Sequence, residues 1–177
     1  MKKFPLIVLG TIFSVLSFYS HSFGFNAVKK LQSMKVCRKC NLVGVDLTGV
    51  SLKKADLINP NLSGAKLMKV NLQGAKLEKA YLQTTNLTGA NLAYANLQKA
   101  YLNEAELQQA NLSGADLDEA DLQEVDLKGA NLQGASFKKT NLSKANLAGA
   151  NIKKNEMKGA ILCHTKTAWG EDNSGCK

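Results

Sequence analysis

The sequence predicts a solenoid rod, and three observations carry that prediction. Every fifth residue from Leu42 to Leu162 is apolar, 25 centres in succession, with Phe137 the one aromatic among them. Two residues before the centre the occupant is usually Ala, as at Ala55, Ala65, Ala75, Ala80 and Ala90; one residue before it Asn or Asp is common. The two positions after the centre are polar, Gly or Lys, as in Ser63-Gly64 and Lys153-Lys154. The consensus is A-(N/D)-L-x-x.

A helix cannot use this pattern, because steps of five scatter the leucines around every side of a helix with about 3.6 residues per turn. If each unit forms one side of a coil, the centre and the small residue before it both point inward and fill a narrow shaft. Hexapeptide helices and leucine-rich repeats have other periods. The repeat resembles the pentapeptide-repeat family over about 125 of the 177 residues. That resemblance implies an all-β fold, a right-handed quadrilateral β-helix with four units per coil. The 25 centres then give about six coils, and at ~4.8 Å per strand the shaft is about 30 Å long. Two units strain the pattern: Pro60 takes a small-residue position, and Asn155-Glu156-Met157 places a polar side chain inward, where local loosening is expected.

The order along the chain is a signal segment at 1–24, an N-terminal cap with a short helix at 25–40, the repeat at 41–164 and a C-terminal cap at 165–177. Lys2 and Lys3, an apolar stretch from Phe4 to Phe18, and then small and polar residues have secretory architecture, with cleavage after Ser22 or Gly24. The mature chain is then expected to have no transmembrane span and to be exported, periplasmic or extracellular. Val28, Leu31 and Met34 at three-residue spacing behind Asn26 predict a short amphipathic helix. It covers one end of the shaft, and the tail with the sole Trp covers the other, as open-edged coils require.

Cys37, Cys40, Cys163 and Cys176 are even in number and suit an oxidising compartment. With both ends capped, Cys37 pairs with Cys40 at the start of the shaft, and Cys163 with Cys176 holds the tail. The tail also resembles that of secreted bacterial members of the family. A thioredoxin-like role for Cys37 and Cys40 lacks its strand-helix-strand setting. No metal is expected: Cys40 and Cys163 lie at opposite ends, and Cys163, His164 and Cys176 lack a clear fourth ligand.

Residues twenty apart share a face in such a shaft. Asn71, Asn91, Asn111, Asn131 and Asn151 form one column, either an amide ladder, the favoured reading, or a recognition surface. Tyr81 and Tyr101 form an exposed pair that either packs or contacts a partner. The net charge is +9, and about +7 without Lys2 and Lys3. Within it lies an acidic girdle of Glu104, Glu106, Asp116, Asp118, Glu119, Asp121, Glu124 and Asp126, with no Lys or Arg from Tyr101 to Leu127. The girdle is either a solvated face or a surface for a basic partner; the basic ends suit a membrane or envelope polymer.

No catalytic residue or cofactor is expected, since a single mature His, no phosphate loop and no cleft leave catalysis without its parts. The functional expectation is a structural or protein-interaction module whose partner is another protein or an envelope component, with nucleic acid disfavoured. The alternative is a DNA-mimicking inhibitor or protector of DNA gyrase, which export and a basic balance oppose. Ice or crystal binding would need a threonine ladder that Thr48 and Thr88 do not form.

Overall fold

The structure is a computed structural model that describes residues 28–29 and 31–176. The expected signal segment, its cleavage positions and the Asn26 cap lie outside the described residues. Among the described residues no helix is long and apolar enough to cross a membrane.

The chain winds as a β-helix in which single parallel bridges join residues twenty apart, starting with Val36↔Asp56 and ending with Asn146↔Lys166. The bridges fall into four columns. The first runs from Val36 to Ser136, the second from Asn41 to Ile161, the third from Asp46 to Lys166 and the fourth from Ser51 to Asn151. Leucine centres and their preceding small residues are buried as one continuous core. A β-branched residue in the small position also fits if its hydroxyl finds an acceptor. Buried Thr85 donates to the Leu82 carbonyl at 2.6 Å, Thr140 to Leu117 at 2.7 Å and Thr165 to Leu142 at 2.9 Å.

Why the consensus reads as it does follows from where five N–H groups go. In the unit 91–95, Asn91 N–H donates back to Val70 O at 2.9 Å, while Leu92 and Tyr94 donate forward to Asn111 O and Ser113 O at 2.7 and 2.9 Å. Ala95 N–H closes a turn onto Leu92 O at 3.0 Å. Only Ala93 N–H is left, and the Asn91 side chain accepts it at 3.1 Å. The same bond recurs from Val43 to Asn41, Thr48 to Asp46, Ser113 to Asn111 and Ala148 to Asn146. Asn and Asp therefore serve before the centre as backbone acceptors, forming an Asx turn in these units. The amide ladder is the lesser interaction: Asn131 reaches Asn111, and Asn151 reaches Asn131, each at 3.4 Å.

The last residue before the next small position turns with positive φ, between 53° and 69° at most corners of the shaft. That left-handed conformation suits Gly and costs other residues roughly 1 kcal/mol or more.

Both strained units behave distinctly. Pro60 is buried and accepted, because its missing N–H forfeits only the local turn bond; its carbonyl still receives Tyr81 N–H at 2.9 Å. At the second unit the coil breaks into a 3-10 turn, Lys154–Met157. Met157 stays buried and Asn155 is exposed, so the polar side chain expected inward is expelled. Lys139 N–H then pairs with Gly159 O at 2.8 Å, one residue later than the regular register.

At the N-terminal end, helical residues at 28–29 and 31–34 place Leu31 in the core with Val28 packed against it. Met34, expected on the same apolar stripe, is 59% exposed, because Lys35 at φ 51° ends the helix and turns the chain into the first bridge. At the other end β1 (Thr165–Thr167) and β2 (Gly170–Asp172) form an antiparallel hairpin. The tail then crosses the last coil: Gly175 N–H donates to Leu162 O at 2.6 Å, and a Cβ on Gly175 would stand 2.5 Å from Leu162 N. Only glycine fits there.

Candidate interaction surface

The inside of the shaft is filled by side chains, so chemistry available to other molecules lies on the outer columns and the ends. The acidic residues expected to form a girdle occupy three of the four bridge columns and the positions following them. Asp116, Asp118 and Glu119 lie on the first, Glu104, Asp121 and Glu124 on the second, Glu106 and Asp126 on the third. The fourth column carries none of them. It presents Asn91, Asn111 and Asn131 with Ala93, Ser113 and Gln133, so the collar is open on one side.

Many collar carboxylates are engaged within the fold. Asp126 accepts Lys128 N–H at 3.0 Å, Gln108 Nε2 at 2.9 Å and Asn146 Nδ2 at 3.2 Å. Asp116 accepts Gln98 Nε2 at 2.6 Å, and Glu106 accepts Asn86 Nδ2 at 2.7 Å. Asp118 takes Lys138 N–H at 2.9 Å and the Ser136 hydroxyl. Glu119 lies between Lys99 at 3.5 Å and Lys139 at 4.0 Å, and Glu124 meets Lys144 at 2.8 Å. The hydrogen bond and charge of Glu124 raise the Lys144 pKa. Exposed pairs of this kind contribute little stability each, on the order of 0–1 kcal/mol.

Tyr81 and Tyr101 stand in the second column, each 41% exposed, with ring centroids 5.2 Å apart and planes within 14°. At these positions the consensus wants an Asx acceptor, and a phenol cannot supply the turn bond. Tyr81 also borders an open hollow of about 350 Å³ with Lys39, Cys40, Asn41, Asn59 and Asn61. Beside this column runs a ridge that sequence reading did not single out: Lys39, Asn59, Lys79, Lys99, Glu119 and Lys139 occupy six successive corners, all at positive φ and none glycine. Each of the other three corners carries glycines, such as Gly44, Gly89 and Gly114. Reading every twentieth residue from Lys39 would have found it. Also unremarked was Tyr94, 69% exposed at φ 58°, whose ring lies in the space left by Gly114.

The cysteines sit at the ends. Cys37 and Cys40 sulfurs are 1.97 Å apart, and those of Cys163 and Cys176 are 2.00 Å apart. Cys163, His164 and Cys176 bring their ligand atoms within 4.8 Å of one another, but bonded sulfurs offer no thiolate to a metal. His164 Nδ1 instead contacts Glu171 Oε1 at 3.2 Å, while the His164 backbone N–H donates to Asn173 Oδ1 at 2.7 Å. The His164 bond is the main cause holding the Glu171 pKa below the usual range. At the first coil, Arg38 Nε donates to Asp56 at 2.9 Å, which lowers the Asp56 pKa and raises that of Arg38.

Comparison with known proteins supports the fold. No curated protein sequence matches the chain. A solved structure of trypsin-treated QnrB1, a plasmid-mediated fluoroquinolone resistance protein, aligns with a TM-score of 0.58 at 19% identity, over 80% of each chain. HetL, a pentapeptide repeat protein involved in heterocyst differentiation regulation from the cyanobacterium Nostoc, shares 34% identity over 77% of this chain and 65% of its own, with a TM-score of 0.29. A family model described as pentapeptide repeats (8 copies) matches residues 36–74, 65–103, 95–134 and 130–166, almost the whole span of the bridge columns. The chain belongs to the pentapeptide-repeat family.

Proposed function

We propose that this protein is an exported, non-catalytic interaction module: a right-handed quadrilateral β-helix of about six coils whose rigid outer surface is presented to another protein or to an envelope component. The observation that carries the reading is the filled interior. Centres from Leu47 to Leu147 are buried to 2% exposure or less, so there is no cleft in the shaft to enclose a substrate. Cysteine pairs at bonding distance near both ends support an oxidising compartment, where such links persist.

Cell fractionation with thiol labelling tests the compartment, and cross-linking in the envelope fraction tests the partner. The expected result is a processed chain without reactive thiols, cross-linked to one predominant species. Reversing the charges of Asp116, Asp118, Glu119, Asp121, Glu124 and Asp126 abolishes that capture if the collar is the contact. The gyrase alternative has the weaker support, because the collar is open on the fourth column and flanked by lysines rather than continuous along the rod. A cytoplasmic chain with free thiols that alters DNA supercoiling in vitro would replace the first reading with the second.

A further inference from the structure

We infer that the stacked tyrosines of the second column and the adjoining lysine ridge form a binding site for an anionic polysaccharide, one whose sugar rings bear carboxylates. The inference rests on the interaction-module reading and supplies the ligand class for it.

Two departures from the repeat meet at this place. In the second column Tyr81 and Tyr101 replace the residue type that satisfies the unit's spare N–H, and they do so in adjacent coils, so that their rings stack at 5.2 Å. At the neighbouring corner the left-handed position is filled by Lys39, Asn59, Lys79, Lys99, Glu119 and Lys139, although glycine adopts that conformation without strain; Glu119 pairs with Lys99 and Lys139, which, among the described residues, leaves Lys39 and Lys79 as the cations without a carboxylate on this corner. Lys79 and Lys99 precede the two tyrosines by two residues each. The ring stack offsets part of the lost turn bonds, but local rules broken side by side on one exposed edge mark a surface kept for something other than folding alone.

The chemistry selects the ligand. An aromatic ring presents a negative face that attracts the weakly positive C–H bonds of a sugar ring. The rings of Tyr81 and Tyr101 face each other, which leaves an outer face of the stack for a ligand. The hollow beside Tyr81 is lined by Asn41, Asn59 and Asn61 as well as Lys39. Asn41 and Asn61 each have Oδ1 occupied by a backbone N–H, from Val43 at 3.3 Å and Ser63 at 3.2 Å. That bond fixes the amide and leaves its NH2 as a donor for hydroxyl groups. One ammonium, Lys39, stands among three amides in the hollow, and Lys79 and Lys99 continue the corner beyond it, which suits a chain that carries both hydroxyls and carboxylates. A deoxypolynucleotide fits less well: its internal sugars carry no free hydroxyl for the amide donors of Asn41 and Asn61, whereas each ring of a uronic-acid polymer carries free hydroxyls beside its carboxylate.

The test is isothermal titration of the full chain, disulfides intact, with polygalacturonate, alongside polyglutamate, neutral dextran and an oligo-dT strand. Saturable binding to polygalacturonate is expected, weakening as salt rises because the lysines are exposed. The Tyr81→Asn/Tyr101→Asn double variant restores the consensus acceptor, so it should melt no lower than the parent while binding polygalacturonate about tenfold less tightly. Lys79→Gly/Lys99→Gly relieves two left-handed residues and should weaken binding with a smaller salt dependence. Unchanged affinity in the tyrosine variant, equal affinity for polyglutamate, or tighter binding to oligo-dT would overturn the inference. Capture of an exported protein partner at full strength by a tyrosine variant that has not lost polygalacturonate binding would sink this ligand and leave the module reading standing. A cytoplasmic chain with free thiols would sink both.

Discussion

Placing a Lys at position 117 puts the central geometric claim under load. Leu117 is fully buried, between Leu97 and Phe137 twenty residues to either side, and its own N–H and carbonyl are spent on Ser136 O at 3.0 Å and the Thr140 hydroxyl at 2.7 Å. Removing the leucine side chain alone costs about 2–5 kcal/mol in a core of this density. An unpaired ammonium in the same space costs several kcal/mol more. A long stem ordinarily escapes such a penalty by reaching water, but the coils above and below are sealed by main-chain bonds such as Leu97 N–H to Asp116 O at 2.8 Å. The combined loss reaches the whole stability of a domain of ordinary size, about 5–15 kcal/mol. Leu117→Lys should therefore be unfolded in water at 25 °C. Lys99→Leu, at an exposed corner with one 3.5 Å ion pair to Glu119, should shift the urea midpoint only slightly. Far-UV circular dichroism against urea reads both. Superimposable curves for the two variants would refute the inward assignment of the centres.

The Asx account predicts a chemical discrimination at a single atom. Asn91→Ala strands the N–H of Ala93, itself buried, and should cost about 1–3 kcal/mol in urea unfolding, whereas Asn91→Asp keeps the acceptor and should cost much less. Equal losses would mean that the side chain acts through the amide ladder instead. The pH dependence has a definite sign. Asp46, Asp56, Glu171 and Asp172 all have lowered pKa values in the fold, chiefly from the Thr48 backbone N–H, Arg38, His164 and Ser174 respectively. A depressed carboxylate pKa gives stability that is present above the unfolded value of about 4 and is lost as pH falls through the folded value. The melting temperature should thus hold near neutrality and drop below about pH 4, and Arg38→Ala should flatten part of that drop. A melting temperature that rises on acidification would contradict these assignments.

The repeat was legible in the sequence because one feature, an apolar residue every fifth position, has a single economical solution in three dimensions. Leu47 and Leu147 are a hundred residues apart and do the same thing. Less legible was the reason for Asn before the centre. Its stacking in a column at twenty-residue spacing suggests a ladder, yet the bond that matters is local, two residues away, and invisible to column reading. The collar misled in a related way. Eight acids in one stretch of chain look like a ring, but whether they surround the shaft depends on which of four columns each falls in, and the fourth receives none. Asn155 was placed inward by strict counting; a 3-10 turn cost less than burying the amide, so the chain left register for a few residues and resumed it by Leu142 N–H to Ile161 O at 2.9 Å.

Once every N–H of a unit is assigned, the positions at which selection is unconstrained by folding can be named in advance. The centre and the small residue before it belong to the core, and the residue between them serves the turn. The corner favours glycine by conformation alone. That leaves the side chain of the residue after the centre, which its own unit does not require, so variety there carries little information. Information lies where a constrained position is filled against its constraint, as at Tyr81 and Tyr101 before their centres and at Lys39, Lys79, Lys99 and Lys139 on one corner. These two sets adjoin on one edge of the shaft. The collar is mixed: Asp121 and Asp126 sit where a carboxylate is readily accepted, taking the turn N–H of Gln123 and Lys128 at 3.3 and 3.0 Å, whereas Glu104, Glu119 and Glu124 stand at left-handed corners as the lysines do. The stacked aromatic pair is what sets the tyrosine and lysine edge apart from those acidic corners, and Tyr81→Asn/Tyr101→Asn is the substitution that tests it.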